Sequence, residues 1–181
     1  MQLAAVSRTL FSACLFTAFC TSVCAQQKQS LVISSEGVKS RYVQQHIIDV
    51  DDVPGHQIRV QESQRTYPPD KQFTVDGEHV VEWWIRSFSS YTNGIGPSWG
   101  YQTWITEKGD KIFLETYGTS EAVTTETGSR RGTYHGTSRI VGGTGRFSKI
   151  RGLLVDVSKF DTDQKVGYSL SDGRGEYWFE Q

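Results

Sequence analysis

Cysteine is missing from almost all of this chain: Cys14, Cys20 and Cys24 lie at its very start, and none follows. Everything after position 25 therefore lacks a disulfide, a thiolate metal site and a cysteine nucleophile. Histidine does not fill the gap, because His46, His56, His79 and His135 lack the close spacing of a common zinc motif. No metal and no cofactor are expected. Charge of one sign is lacking too. Nineteen basic residues face 20 acidic ones, interspersed along the chain, which leaves no electrostatic footprint for nucleic acid. There is also no polybasic stretch or basic amphipathic helix for a membrane surface.

The one long apolar run, Leu10 to Val23, follows Arg8 and ends at Val23-Cys24-Ala25. A basic start, an apolar middle and small residues at the end describe a secretion signal cleaved near Ala25. The run is shorter than the roughly 20 apolar residues that span a bilayer as a helix. Val23 before Cys24 disfavours a lipoprotein site. The expected organisation is a signal peptide over 1–25, a loose polar leader over 26–40 with a short strand at Leu31-Val32-Ile33, and one domain over 41–181. The expected location is the periplasm or the medium, with no membrane contact after cleavage.

All 18 glycines lie beyond the signal, and no segment there carries a clean helical period. Tyr, Trp, Phe, Val, Ile and Thr crowd the intervals between turn residues, which favours strands. The spacing predicts eight, near 41–50, 56–66, 79–91, 98–107, 111–121, 129–140, 149–158 and 165–170, with 175–180 continuing or pairing with the last. Val53-Pro54-Gly55, Glu107-Lys108-Gly109-Asp110 and Thr127-Gly128 suit hairpin connections. Asp161-Thr162-Asp163 and Ser171-Asp172-Gly173 read as exposed connections. Short strands with short links make an antiparallel meander, all-β in class. Closing it into an up-and-down barrel would remove its exposed edges; an open sandwich is the main alternative.

Gly142-Gly143-Thr144-Gly145-Arg146-Phe147-Ser148-Lys149-Ile150-Arg151-Gly152 resembles the GGTG-x-F-x-x-x-x-G signature between late strands of allene oxide cyclase and dirigent proteins. Strand number and length over Tyr42–Glu180 agree with that resemblance. It implies an eight-stranded antiparallel β-barrel and a homotrimer. A structural reading stands beside it: Gly142, Gly143 and Gly145 make a tight turn, and Phe147 plugs the barrel end. No Gly-Lys-Ser/Thr follows, so the segment is not a phosphate loop.

Strand alternation sorts side chains by face without saying which face is inside. Val81, Trp83, Ile85 and Ser87 share one face and suit an apolar contact. Val80, Glu82, Trp84 and Arg86 share the other and suit a pocket. Trp83 and Trp84 point opposite ways, so one of them faces out, under a neighbouring subunit or a local cap. Tyr101, Thr103 and Ile105 oppose Gln102, Trp104 and Thr106. Phe113, Glu115 and Tyr117 oppose Ile112, Leu114 and Thr116. If the second set is the core, Glu115 faces solvent; if the aromatic set lines a cavity, Glu115 is an acid or base. Tyr134 lies between Gly132 and Gly136 on one face, with His135 opposite as a secondary proton-shuttle candidate.

The functional expectation is a cofactor-independent isomerase, cyclase or lyase for a small apolar or phenolic, lignin-like substrate. Trp84, Phe113, Tyr117 and Tyr134 would bind it, and Glu82 or Glu115 would move the proton. Arg86 would stabilise an oxyanion, with Tyr101 as donor or base. A non-catalytic binding protein for a hydrophobic or aromatic ligand is the alternative, and a structural, subunit-interaction barrel a third. Hydrolase readings are weaker: no Gly-x-Ser-x-Gly elbow is present, and a carboxylate pair needs a separation that sequence does not provide.

Overall fold

The computed structural model describes residues 26–161 and 169–181. The expected signal segment lies outside them, as does most of the strand expected at 165–170. The described residues form ten strands: β1 (Gln29–Ser34), β2 (Lys39–Asp49), β3 (His56–Thr66), β4 (Thr74–Val75), β5 (Glu78–Thr92), β6 (Gly96–Thr106), β7 (Lys111–Thr124), β8 (Arg130–Gly143), β9 (Ile150–Asp161) and β10 (Ser169–Phe179). Single 3₁₀ turns at Pro69–Lys71 and Gly145–Phe147 interrupt them. No helix among the described residues is long and apolar enough to cross a membrane.

The strands pair antiparallel in the order β1-β10-β9-β8-β7-β6-β5-β3-β2, with β4 added at the start of β5. The two edges are β1 and β2, and no ladder joins them. The sheet is therefore open. This corrects the expected closed eight-stranded barrel. The leader segment explains the difference: Leu31, Val32 and Ile33 belong to a full strand that takes the edge of β10, in register Leu31↔Gly175 and Ile33↔Gly173. That edge is the one a closing ladder with β2 would need. Ser171, Asp172 and Gly173, expected as an exposed connection, instead lie within β10 opposite Ser158, Val157 and Asp156.

One face of the sheet carries the core. Trp83, Trp104, Ile112, Leu114, Ile140, Ile150, Leu154 and Tyr177 project from β5 to β10 and are buried together with Leu31, Ile33, Val75, Val80 and Phe147. Edge-to-face contacts link Tyr67 to Phe73, Phe73 to Trp104 and Trp104 to Trp83, with centroids 5.4, 5.1 and 6.0 Å apart. Such pairs add to area burial because ring edges meet ring faces. Val80 and Trp83 are both in this core, which strict alternation forbids. A register shift between Val80 and Glu82 resolves it: the extra residue reverses the phase of the strand.

The glycine signature is a structural corner here. Gly145 has φ +51°, and a Cβ there would fall 2.1 Å from Asp110 Oδ1. The turn drops Phe147 into the core, where it stacks on Phe179 at 6.3 Å. Arg146 reaches from the same turn to Asp76 and, at 2.8 Å, to the buried Glu78. Lys108 also engages Glu78, so that the carboxyl is held below its ordinary pKa by the Lys108 hydrogen bond first and by Arg146 after it.

Candidate functional site

The core fills only one end of the inner face. Towards the other end, the inward positions change from apolar to polar, and on β9 the outward positions beside them are apolar. On β9, Leu154 is buried, but Asp156 and Ser158 follow it inward while Val155 and Val157 face solvent. On β7 the inward series runs Ile112, Leu114, Thr116, Ser120. Small hydroxyl residues cannot fill the space that leucine and tryptophan fill at the other end. The result is a cavity of about 160 Å³.

Its walls come from strands far apart in the sheet order. Arg59, Arg65, Trp83, Tyr91, Tyr134 and Asp156 are the side chains that give it chemistry. Arg65 is 4 % exposed. Its Nε donates to Ser40 Oγ at 3.2 Å, and its Nη2 donates to both Ser169 Oγ and Ser171 Oγ at 2.7 Å. The guanidinium lies 4.5 Å from the Trp83 ring centroid, and its Nη1 has no hydrogen-bond partner. Arg59 lies over the rings of Tyr42 and Tyr91 at 5.7 and 5.6 Å, and its Nε is buried without a partner. Neither arginine has a carboxylate within ion-pair distance among the described residues.

Glycine makes room for the two acidic groups opposite. Asp156 sits between Gly136 and Gly173 in the ladder, and a Cβ on Gly136 would come within 2.7 Å of its Oδ1. Burial pushes its carboxyl above the ordinary aspartate pKa, although Arg65 and the Ser138 hydroxyl pull it back. The Tyr134 ring lies over Gly118 and Gly136. Its hydroxyl is likewise pushed up by burial, opposed by hydrogen bonding to Thr116 and Ser98. A hydroxyl chain closes the floor: Gln102 Nε2 donates to Ser138 Oγ at 3.3 Å, and Ser138 donates to Thr116 Oγ1 at 3.1 Å.

Of the residues proposed from sequence, Tyr134 alone lines this cavity. The face assignment of β5 is inverted: Trp83, Ile85 and Ser87 point in, while Glu82, Trp84 and Arg86 point out. Glu82 and Arg86 are not a pair. Glu82 accepts from Trp84 Nε1 at 2.7 Å, whereas Arg86 bonds Glu62 at 2.7 Å across the ladder. Glu115 lies outside and binds Arg139 at 2.6 Å. Tyr101 and Tyr117 are 64 % and 61 % exposed, and Phe113 and His135 also face solvent. The proton-transfer scheme built on Glu82, Arg86, Tyr101 and Glu115 in an enclosed barrel therefore fails on two counts. The barrel is not closed, and those groups stand on the opposite face.

Sequence reasoning missed Arg59, Arg65 and Asp156. A signal was present: small polar residues recur on one face of a strand, as in Ser169 and Ser171 or Thr116 and Ser120, marking a polar inner stretch. Among the described residues no group of three His, Asp or Glu side chains converges as a metal site. No family model, curated protein or solved structure matches the chain. The expected kinship with cyclase and dirigent proteins is therefore not supported: no match carries it, and the Gly142–Gly152 segment builds a corner of an open sheet, not of a closed barrel.

Proposed function

We propose that this protein binds a small organic anion, a one-ring aromatic carboxylate in size and chemistry, on the inner face of its sheet. The observation that carries the reading is Arg65: a buried cation held by three serine hydroxyls, with no carboxylate at ion-pair distance among the described residues. Removing a charge from water is costly unless an opposite charge or a full set of hydrogen bonds compensates. An anionic ligand supplies that compensation. Asp156 shares the cavity but makes no ion pair with the guanidinium.

Volume sets the size. A cavity near 160 Å³ compares with the roughly 150 Å³ that accommodates a single benzene ring. Two-ring phenolics and long oxidised fatty acids are too large for it. Trp83, Tyr91 and Tyr134 offer aromatic faces and edges, while Gln102 and Thr116 offer donors and acceptors for a ring hydroxyl. The proposal requires no catalysis. Export past a membrane, proposed from the composition of the first 25 residues, would place such a binder where aromatic acids arrive from outside the cell.

Isothermal titration with benzoate, 4-hydroxybenzoate and benzamide tests it. Benzoate and 4-hydroxybenzoate should bind, benzamide at least about 10-fold more weakly, as befits the loss of a charge-assisted hydrogen bond. Equal affinity for benzoate and benzamide, or no heat from any of the three at millimolar ligand, rejects the reading.

A further inference from the structure

The outer face carries a second arrangement that the cavity does not use. The turn after β2 places Asp52 one helical-like step before His56, and β5 brings Ser90 alongside. His56 Nδ1 lies 2.6 Å from Asp52 Oδ1, and His56 Nε2 lies 2.9 Å from Ser90 Oγ. Asp52 also accepts the Val53 backbone N–H at 2.7 Å. The hydrogen bond from His56 is the chief cause of a pKa below the ordinary aspartate value, so Asp52 stays a carboxylate. A carboxylate can only accept, so Nδ1 carries a proton, and in the neutral imidazole Nε2 accepts from the Ser90 hydroxyl.

This is the order of contacts that activates a serine: orienting acid, imidazole, hydroxyl. The backbone beneath it is pinned. Val50 N–H donates to His56 O at 3.0 Å, His56 N–H to Val53 O at 3.2 Å, and Asn93 N–H to Gly55 O at 3.0 Å. Two turns are thereby tied to each other, and the three side chains rest on a fixed frame. Ser90 is only half-buried, and Asp52 is exposed.

The surroundings say what such a serine would meet. Ile58 pairs with Ser90 across the ladder, and Val60 pairs with Phe88 two residues along, on the same face. Phe88 lies against the exposed Trp99 ring at 4.4 Å. An apolar strip thus runs from Ser90 along the outer face. On the other side is a cleft of about 310 Å³ lined by Asp49, Asp51, Asp52, Pro54 and His56.

We infer that Ser90, His56 and Asp52 form an acyl-transfer site that hydrolyses esters with an apolar acyl group and a neutral or cationic alcohol. Ser90 Oγ attacks the ester carbonyl carbon as its proton passes to His56 Nε2. The tetrahedral intermediate collapses, the carbon–alkoxy bond breaks, and His56 returns the proton to the departing alcohol. Water then attacks the acyl-serine with its proton taken by His56, and the acid leaves as Ser90 regains its hydrogen. The apolar strip holds the acyl chain, and the three aspartates of the cleft repel an anionic leaving portion.

The probes are p-nitrophenyl butyrate, butyrylcholine and a fluorophosphonate serine label on the full chain. The expected result is fluorophosphonate on Ser90, located by peptide mass, with turnover of both esters. Ser90→Ala should abolish labelling and lower turnover about 100-fold or more, and Asp52→Asn should lower turnover about as far while leaving the melting temperature close to wild type. Trp99→Ala should raise KM for the butyryl ester with little change in kcat. Absence of labelling at Ser90, or Ser90→Ala turnover equal to wild type in a folded protein, overturns the inference.

Discussion

Arg65 and Trp83 face each other directly across the β3–β5 ladder, with the guanidinium 4.5 Å from the indole centroid. This pair marks the border of the inner face: the aromatic core begins on the Trp83 side, and the polar cavity begins on the Arg65 side. The two members should behave differently on substitution. Trp83→Leu removes core volume and a desolvated cation–π contact and should cost about 2–4 kcal/mol in chemical denaturation.

Arg65→Met should leave stability within about 1 kcal/mol of wild type, because replacing a buried charge by an apolar side chain of similar volume is often neutral or better. Benzoate binding should fall at least about 10-fold in the same variant. A variant that keeps its benzoate affinity would remove Arg65 from the site.

Asp156 gives a pH signature opposite to that of most acidic side chains. Its pKa is raised in the folded state, so the fold binds that proton more tightly than the unfolded chain does. The contribution is fully present below the unfolded pKa and is lost as pH rises through the folded value. Asp156→Asn should therefore raise the melting temperature at neutral pH and leave it little changed in acid. Thermal melts across pH 3 to 8 would check this.

Glu78 has the reverse sign. Lys108 and Arg146 lower its pKa, so its contribution is present above the unfolded pKa and lost as pH falls through the folded one. Glu78→Gln should destabilise the protein at neutral pH, with the difference from wild type shrinking in acid. Circular-dichroism melts of the two proteins at both pH values would show it.

Neighbours on one strand should report the two faces. Leu154→Ala, at a 3 % exposed core position, should cost about 2–5 kcal/mol. Val155→Thr, one residue on and 63 % exposed, should change stability by no more than about 0.5 kcal/mol. Equal costs at the two positions would mean that the outer face is covered in solution, and sedimentation would then identify a self-associated species.

The strand periods were legible in the sequence, since β3, β6, β7 and β9 lie close to where turn residues and alternation put them. So were the two faces of β7, where Ile112 and Leu114 oppose Phe113 and Glu115. Which face turns inward was not legible. The usual guide is that the more apolar set is inside, and it fails where Val155 and Val157 face solvent while Asp156 and Ser158 face the cavity. The β5 assignment failed for a related reason: the extra residue between Val80 and Glu82 brings both Val80 and Trp83 into the core, a change of phase that strict alternation cannot anticipate.

Composition and local pattern alone determined that the described residues are all-β and antiparallel and that cysteine chemistry is absent after the first 25 residues, because strand propensity, turn chemistry and residue type act over a few positions. Tertiary structure alone decided that the sheet stays open, since β1 competes for the β10 edge across more than 130 residues of chain. It also decided the sites. Arg65 meets Ser171, and His56 meets Ser90, only because ladders bring distant segments together, and no local pattern encodes that register.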